Sequence, residues 1–253
     1  MTIYLPNQRL KKAPRNNTRK KYLMKDHFRE LSRRFYFWVA FFVIGSTVSY
    51  LNNPVLLKWL IAPLRQPLFY TSPIGGFEAV FSVSTIFGFI FSLPILIYQI
   101  IKFVEPASTK LKNQNLTTYL ITACVLALAG TGVSYYLVFP ATLSFLNTFG
   151  YSQLQSLIST KDYFSFISKY LVGFAILFQF PLVIYIVSLF IDITPAKLWS
   201  YYRYVFVFSF ILAAILTPTP DFLNQTIMAI PLILLYFVSI LILYIKKHTV
   251  KQP

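Results

Sequence analysis

The sequence YVFVFSFILAAILTPTPDFLNQTIMAIPLILLYFVSILILY, residues 204–244, contains a single charged side chain, Asp221. A second stretch, residues 35–57, contains none. Water-soluble domains carry charge on almost every element, so uncharged segments of this length indicate that hydrocarbon is the solvent. The whole chain of 253 residues agrees, because 57% of its side chains are apolar and only 12% are charged. The sequence therefore predicts an integral membrane protein.

Six apolar runs are candidate membrane helices. They cover approximately residues 35–51, 79–101, 119–139, 170–191, 204–217 and 226–245. Helices are expected because the runs lack an alternation of period two and an open sheet would leave unpaired backbone in lipid. The fifth run is short: about 14 residues rise about 21 Å, whereas the hydrocarbon core is about 30 Å thick. It is expected to start in the interface or to thin the bilayer. We predict an all-α integral membrane protein with six transmembrane helices.

Prolines inside three runs, Pro94, Pro181 and Pro231, are expected to bend their helices because each removes a backbone hydrogen bond. Bent helices favour a concave bundle. The loop of residues 52–77 contains four prolines and is expected to pack as a cap over the outer end of the bundle.

Basic residues are distributed unequally between the two sides of this topology. The two tails and the loops 102–118 and 192–203 contain nineteen of them, and the opposite side contains four. The positive-inside rule then predicts that both termini are cytoplasmic. We expect residues 1–25 and 246–253 to form basic tails around a membrane domain of residues 26–245, with no cleavable signal peptide before it. Attraction to anionic lipid accounts for the charge of the N-terminal tail, so no nucleic acid is expected as a partner.

The positions of reactive residues argue against catalysis. Both histidines, His27 and His248, lie in the tails, and the single cysteine, Cys124, lies in an apolar run. The seven acidic residues fall in tails, in loops or near the ends of runs. Intramembrane proteases, metal enzymes and acidic proton relays need such groups inside the bundle. We therefore expect a binding protein without a metal or cofactor.

Short motifs follow one another in a defined order along the six runs. They are DHFRELSRR (26–34), APL (62–64), Tyr98-Gln99, Phe103 with Pro106-Ala107, Phe139-Pro140, FQFP (178–181), Arg203-Tyr204 and LTPTPD (216–221) followed by Gln225. In this order and spacing, over about residues 26–245, the chain resembles the TatC family. That family is the multispanning receptor and core subunit of the twin-arginine, or Sec-independent, protein translocase.

Three positions depart from the family pattern. Ser32 stands where the family often has an arginine, and Gln179 stands where it commonly has an acid. Lys112 replaces the usual glutamate six residues after the proline of the second cytoplasmic segment, which leaves Glu105 as the only carboxylate there. Glu105 is the candidate substitute for the missing acid, with a purely local role as the alternative.

The resemblance implies a protein that recognises twin-arginine signal peptides and helps to export folded proteins across an energised membrane. The implied signal-peptide site consists of Glu30, Arg34, Phe103 and Glu105. A carboxylate suits this role because it accepts two hydrogen bonds from one guanidinium. The implied partners are TatA- and TatB-like single-span subunits, twin-arginine signal peptides, the lipid bilayer and further copies of the chain.

The resemblance also implies structural or partner contacts at Pro63, Gln179, Pro181 and Asp221. The Gln179 amide has two alternative hydrogen-bond acceptors. One is a group across the bundle or on a partner helix, and the other is a carbonyl of its own helix that Pro181 leaves without a donor. Asp221 is placed to cap the sixth helix, with contact to cargo as the alternative.

A small-solute transporter or channel is the competing class. It would place charged or strongly polar residues near mid-membrane, where the sequence has only Gln179 and scattered hydroxyls. The expected location is the bacterial cytoplasmic membrane, with the thylakoid or mitochondrial inner membrane as the alternative.

Overall fold

The computed structural model describes residues 17–64, 66–107, 111, 115–148, 157–191, 193–217 and 221–249. The α-helices of these residues are Asn17–Leu51, Asn53–Ile61, Gly75–Val104, Leu116–Val133, Phe139–Asn147, Thr160–Leu177, Phe180–Phe190, Pro195–Ser200, Tyr202–Leu216 and Phe222–Thr249. Short 3-10 turns occupy Ala62–Leu64 and Glu105–Ala107, and a π turn occupies Ser134–Val138. The described part of the chain is therefore all-α, as predicted.

Among the residues that the structure describes, five helical segments are long and apolar enough to cross a membrane, and a sixth apolar helix is shorter. We number them as spans 1 to 6 in chain order: Phe28–Leu51, Gly75–Val104, Leu116–Asn147, Thr160–Phe190, Tyr202–Leu216 and Phe222–Lys247. Span 4 begins ten residues before the apolar run at Tyr170. Its first turns are amphipathic, with Tyr163, Phe164 and Ile167 buried while Lys161 and Lys169 are exposed.

Spans 1 and 2 cross at two glycines. A Cβ atom on Gly88 would lie 2.1 Å from Ser46 Oγ and 2.8 Å from the Ser46 backbone nitrogen. A Cβ on Gly45 would lie 3.3 Å from the Gly88 Cα. A side chain at Gly88 would overlap Ser46 and one at Gly45 would be crowded. Small residues at such crossings are the usual way in which membrane helices gain contact in the absence of a hydrophobic driving force.

The main core surrounds span 4. Phe164, Tyr170 and Phe174 are almost completely buried there, and Phe139 of span 3 packs edge-on against Tyr170. Gly130 allows span 3 to approach closely, because a Cβ at this position would lie 2.6 Å from the Phe174 carbonyl oxygen. Span 4 thus packs against spans 2, 3 and 6, whereas span 1 packs on span 2 and span 5 mainly on span 6. A smaller cluster lies toward the other end of spans 2, 3 and 4 and consists of Ile101, Leu111, Tyr119, Ala123, Leu182 and Leu189.

The loop between spans 1 and 2 packs as a cap, as expected. Two tyrosine hydroxyls hold its short helix, since Tyr135 donates to the Trp59 carbonyl and Tyr163 donates to the Leu60 carbonyl, both at 2.5 Å. The Trp59 ring also stacks on Tyr135 with 3.6 Å between centroids. Beyond Pro63, the Thr160 backbone N–H donates to the Phe69 carbonyl at 2.9 Å.

The prolines act unequally on their helices. Pro181 lies just after the interruption between helices Thr160–Leu177 and Phe180–Phe190. Pro140 follows the π turn Ser134–Val138. Proline has no N–H to donate, and the π turn changes the hydrogen-bond pattern of the helix just before it. Helices Gly75–Val104 and Phe222–Thr249, in contrast, continue through Pro94 and Pro231.

Span 5 begins beside the middle of span 6. The Tyr236 hydroxyl donates to the Leu198 carbonyl at 2.5 Å, and the rings of Trp199 and Phe237 have centroids 5.8 Å apart. The short helix Pro195–Ser200 therefore contacts the middle of span 6, well before the helix of span 6 ends at Thr249.

Candidate functional site

The predicted cytoplasmic end of span 1 has an ion pair one helical turn apart. Arg34 donates to Glu30 Oε1 from both Nε, at 3.2 Å, and Nη2. The Arg34 side chain is 13% exposed and the Glu30 side chain 37%. The pair therefore turns its carboxylate toward solvent and keeps its guanidinium against the protein. The pair joins residues at i and i+4 of one helix.

The register of spans 1 and 2 brings Phe103 to the level of Glu30. The spans run antiparallel through the Gly45–Gly88 crossing, and Glu30 and Phe103 each lie fifteen residues from it. Both are thus about 22 Å from the crossing along their helices. Glu105 follows in the 3-10 turn Glu105–Ala107, and both Phe103 and Glu105 are half-buried. We call Glu30, Arg34, Phe103 and Glu105 the rim. Lys112, where the sequence departs from the family, lies outside the described residues.

Gln179 lies inside the bundle at the interruption of span 4. Its side chain is 2% exposed, and Nε2 donates to the Ala123 carbonyl of span 3 at 3.2 Å. A longer contact of 3.4 Å reaches the Ala175 carbonyl of its own helix. The amide therefore uses an acceptor across the bundle, and its contact within its own helix is to Ala175 and not to Leu177, the residue four positions before Pro181. Within the described residues, Oε1 has no hydrogen-bond partner.

Asp221 caps span 6, which confirms the capping prediction. Its Oδ1 accepts a hydrogen bond from the Asn224 backbone N–H at 2.7 Å, and its Oδ2 accepts one from Asn224 Nδ2 at 3.0 Å. A carboxylate at this position satisfies a backbone donor of the first turn and favours the positive end of the helix dipole.

A groove along span 5 was missed by reasoning from the sequence. It has a volume of about 450 Å³ and is lined by Phe206, Phe210, Ile211 and Ile215 among other apolar side chains, with one amide, Gln225 of span 6. Gln225 Nε2 donates to the Phe210 carbonyl at 3.0 Å. The appearance of Gln225 among the ordered motifs was the available signal, but the groove depends on the packing of two helices.

The described residues contain no group of three or more His, Cys, Asp or Glu side chains that could hold a metal ion. The candidate binding surfaces are therefore the rim, which is charged, and the groove along span 5, which is apolar.

Comparisons with known proteins agree with one another. The family model "Sec-independent protein translocase protein (TatC)" matches residues 26–231. A protein of that name from Aquifex aeolicus is 32% identical over 224 residues, which is 86% of this chain and 92% of the relative. An "uncharacterized tatC-like protein ycf43" from Porphyra purpurea is 26% identical and covers 88% of each chain. The crystal structure of the twin-arginine translocase receptor TatC in DDM superimposes with a TM-score of 0.74 at 31% identity, covering 86% of this chain and 99% of that one.

Proposed function

The chain belongs to the TatC family of Sec-independent protein translocase proteins, and on this basis we propose that it is the signal-peptide receptor and core subunit of a twin-arginine translocation system. Glu30 carries the proposal, because it presents a partly exposed carboxylate among basic residues at the rim. The protein acts by binding, and its function requires no catalytic step.

Recognition of the paired arginines begins at Glu30. Its internal pair with Arg34 joins residues at i and i+4, a contact worth only about 0.3 to 0.5 kcal/mol when exposed. An incoming guanidinium that forms two parallel hydrogen bonds makes a stronger contact and can displace or share this pair. Lysine lacks the planar fork, so a twin-lysine peptide binds more weakly. Glu105 supplies the second carboxylate, at nearly the same level as Glu30.

Phe103 extends the site toward the membrane. A signal peptide has an apolar segment after its arginines, and that segment needs an apolar surface next to the carboxylates. Phe103 is half-buried at the level of Glu30, and Ile100, one turn further into the membrane, is 50% exposed. The peptide would therefore run from the rim along span 2.

Crosslinking tests the proposal directly. A photoreactive residue at position 30 or 105 should capture a twin-arginine precursor in membranes, and a twin-lysine precursor should be captured much less. A probe at Lys58, in the cap at the opposite end of the bundle, is the matched control and should capture neither. Equal capture of both precursors at position 30 would contradict recognition at the rim.

The groove along span 5 supports a second proposal, the docking of a TatA- or TatB-like single-span subunit. It lies on the lipid-facing side of an apolar helix, so its occupant is lipid or another apolar helix. The Gln225 amide favours a helix with a polar side chain, because interhelical hydrogen bonds stabilise such contacts in lipid. Gln225→Leu should reduce copurification of the single-span subunit, whereas Asn147→Leu, which replaces an exposed amide at the end of span 3, should not. Unchanged copurification would place the partner elsewhere.

Relatives in a bacterium and in Porphyra purpurea support an energy-coupled membrane as the location. We propose the bacterial cytoplasmic membrane, with both termini in the cytoplasm and several copies in one receptor complex. The thylakoid or mitochondrial inner membrane is the alternative. Fractionation of the source cells with a tagged chain distinguishes these locations.

A further inference from the structure

A crevice between the outer ends of spans 2 and 4 belongs to none of the sites above. Its volume is about 170 Å³, and its lining includes Glu78, Ser82 and Lys161 together with Phe77, Phe81 and Phe164. This is about the space of six water molecules. It is large enough for a lipid headgroup and too small for a helix.

The crevice lies at the depth of the outer headgroups. Span 2 has 30 residues and span 4 has 31, so each rises about 45 Å. That length matches the bilayer together with its two headgroup layers, whereas the hydrocarbon core alone is about 30 Å thick. Glu78 is the fourth residue of span 2 and Lys161 the second residue of span 4, so both side chains belong to the outer headgroup layer.

The two charges face this space without pairing closely. In the described part of the chain, no ion pair within 4.0 Å joins Glu78 to Lys161. The helix dipole favours Glu78 in the first turn of span 2, but it disfavours Lys161 in the first turn of span 4. An anionic group bound in the crevice would lie beside Lys161 and offset this unfavourable interaction.

The lower wall of the crevice suits an acyl chain. Phe77 and Phe81 are 70% and 62% exposed, and their rings stack with centroids 6.1 Å apart. Phe164, on the span 4 side, is 1% exposed and closes the crevice toward the core. An apolar chain leaving the crevice would therefore pass along two phenyl rings into the bilayer.

We propose that this crevice binds a zwitterionic phospholipid with a primary ammonium group, of the phosphatidylethanolamine class. The ammonium donates hydrogen bonds to Glu78, the phosphate accepts from Lys161, and one acyl chain follows Phe77 and Phe81. A primary ammonium has three N–H donors, whereas the quaternary ammonium of phosphatidylcholine has none. Glu78 therefore distinguishes the two lipids by their ammonium groups, whereas Lys161 binds the phosphate of both.

Native mass spectrometry of the full chain in detergent, titrated with phosphatidylethanolamine or phosphatidylcholine, tests the proposal. The wild-type protein should bind phosphatidylethanolamine about tenfold more tightly, the effect of one charge-assisted hydrogen bond. Glu78→Gln should remove this preference, and Lys161→Gln should weaken both lipids. Asp162→Asn and Lys58→Gln, outside the crevice lining, are the matched controls and should behave as wild type.

A preference that survives Glu78→Gln would overturn the proposal, as would equal binding of the two lipids by the wild-type chain. A second measurement needs no substitution. Successive N-methylation of the ethanolamine headgroup removes one donor at a time, so affinity for the wild-type chain should fall at each step. Affinity that is independent of methylation would show nonspecific annular lipid and refute the site.

Discussion

Replacing Glu30 by glutamine removes the negative charge of the rim while preserving the size of the side chain. A hydrogen bond to a charged group contributes about 1.5 to 3 kcal/mol. Because 37% of the Glu30 side chain is exposed, solvent reduces this contribution to about 1 to 1.5 kcal/mol. We therefore expect Glu30→Gln to weaken binding of a twin-arginine signal peptide about five- to tenfold. Glu30→Lys, which adds a cation beside Arg29, Arg33 and Arg34, should abolish binding.

A loss of binding by Glu30→Gln has two possible causes, because Arg34 is only 13% exposed and loses its counter-charge in the same variant. An unpaired, largely buried guanidinium can disturb the end of span 1 without any role of Glu30 in recognition. The double variant Glu30→Gln/Arg34→Gln removes both charges and separates the two causes. If Glu30 contacts the peptide directly, the double variant should bind as weakly as Glu30→Gln. Arg34→Gln alone, which loses only the internal pair, should change affinity by about twofold at most.

The assay is a binding titration of the purified chain in detergent with a fluorescent twin-arginine peptide, and with a twin-lysine peptide as the specificity control. Thermal unfolding of each variant reports whether the bundle is intact. Recovery of wild-type affinity in the double variant would refute direct recognition, because it would show that Glu30 serves only to neutralise Arg34. A loss in Arg34→Gln as large as that in Glu30→Gln would refute it as well.

Three further substitutions test other contacts. Gln179→Leu removes the hydrogen bond to Ala123 together with an unpaired Oε1, so thermal stability should change little, and because the side chain is buried inside the bundle, copurification of a subunit docked along span 5 should not change; a loss of copurification would show that a partner depends on Gln179. Asp221→Ala should lower the free energy of unfolding by about 1 kcal/mol and Asp221→Asn by much less, and equal losses would contradict capping. Gly88→Ala should lower the melting temperature, and Ser46→Gly should rescue it only in part, because the Ser46 backbone nitrogen would remain 2.8 Å from the new Cβ; full rescue would show that only the hydroxyl limits the crossing.

The spans could be predicted because the transfer of apolar side chains into lipid is a local property of each run. The start of span 4 could not be found in this way. Lys161, Asp162 and Lys169 interrupt the apolar run, although they occupy the exposed side of a helix whose other face is buried. A search with a period of 3.6 residues from Thr160 onward would have extended the helix.

The candidate site could be predicted to the extent that it depends on neighbours in the chain. The cap by Asp221 and the pair of Glu30 with Arg34 join residues three and four positions apart. The tyrosine contacts of the cap join residues 76 and 103 positions apart, and nothing in the local sequence of Tyr135 or Tyr163 indicates which carbonyl they reach. The groove along span 5 has the same origin, since it exists only where two helices meet.

Span 5 shows how such contacts decide between alternatives that the sequence leaves open. Its fifteen residues rise about 22 Å, and the part of span 6 from Phe222 to Tyr236, beside which it lies, rises about 21 Å. In a hydrocarbon core about 30 Å thick, the Arg203 guanidinium at the start of span 5 would begin about 8 Å inside the apolar layer, a costly position for a cation. Local thinning of the bilayer removes that cost at a fraction of a kcal/mol per Å. A single-span partner in the groove would then face about 22 Å of hydrocarbon, which about 15 apolar residues cross.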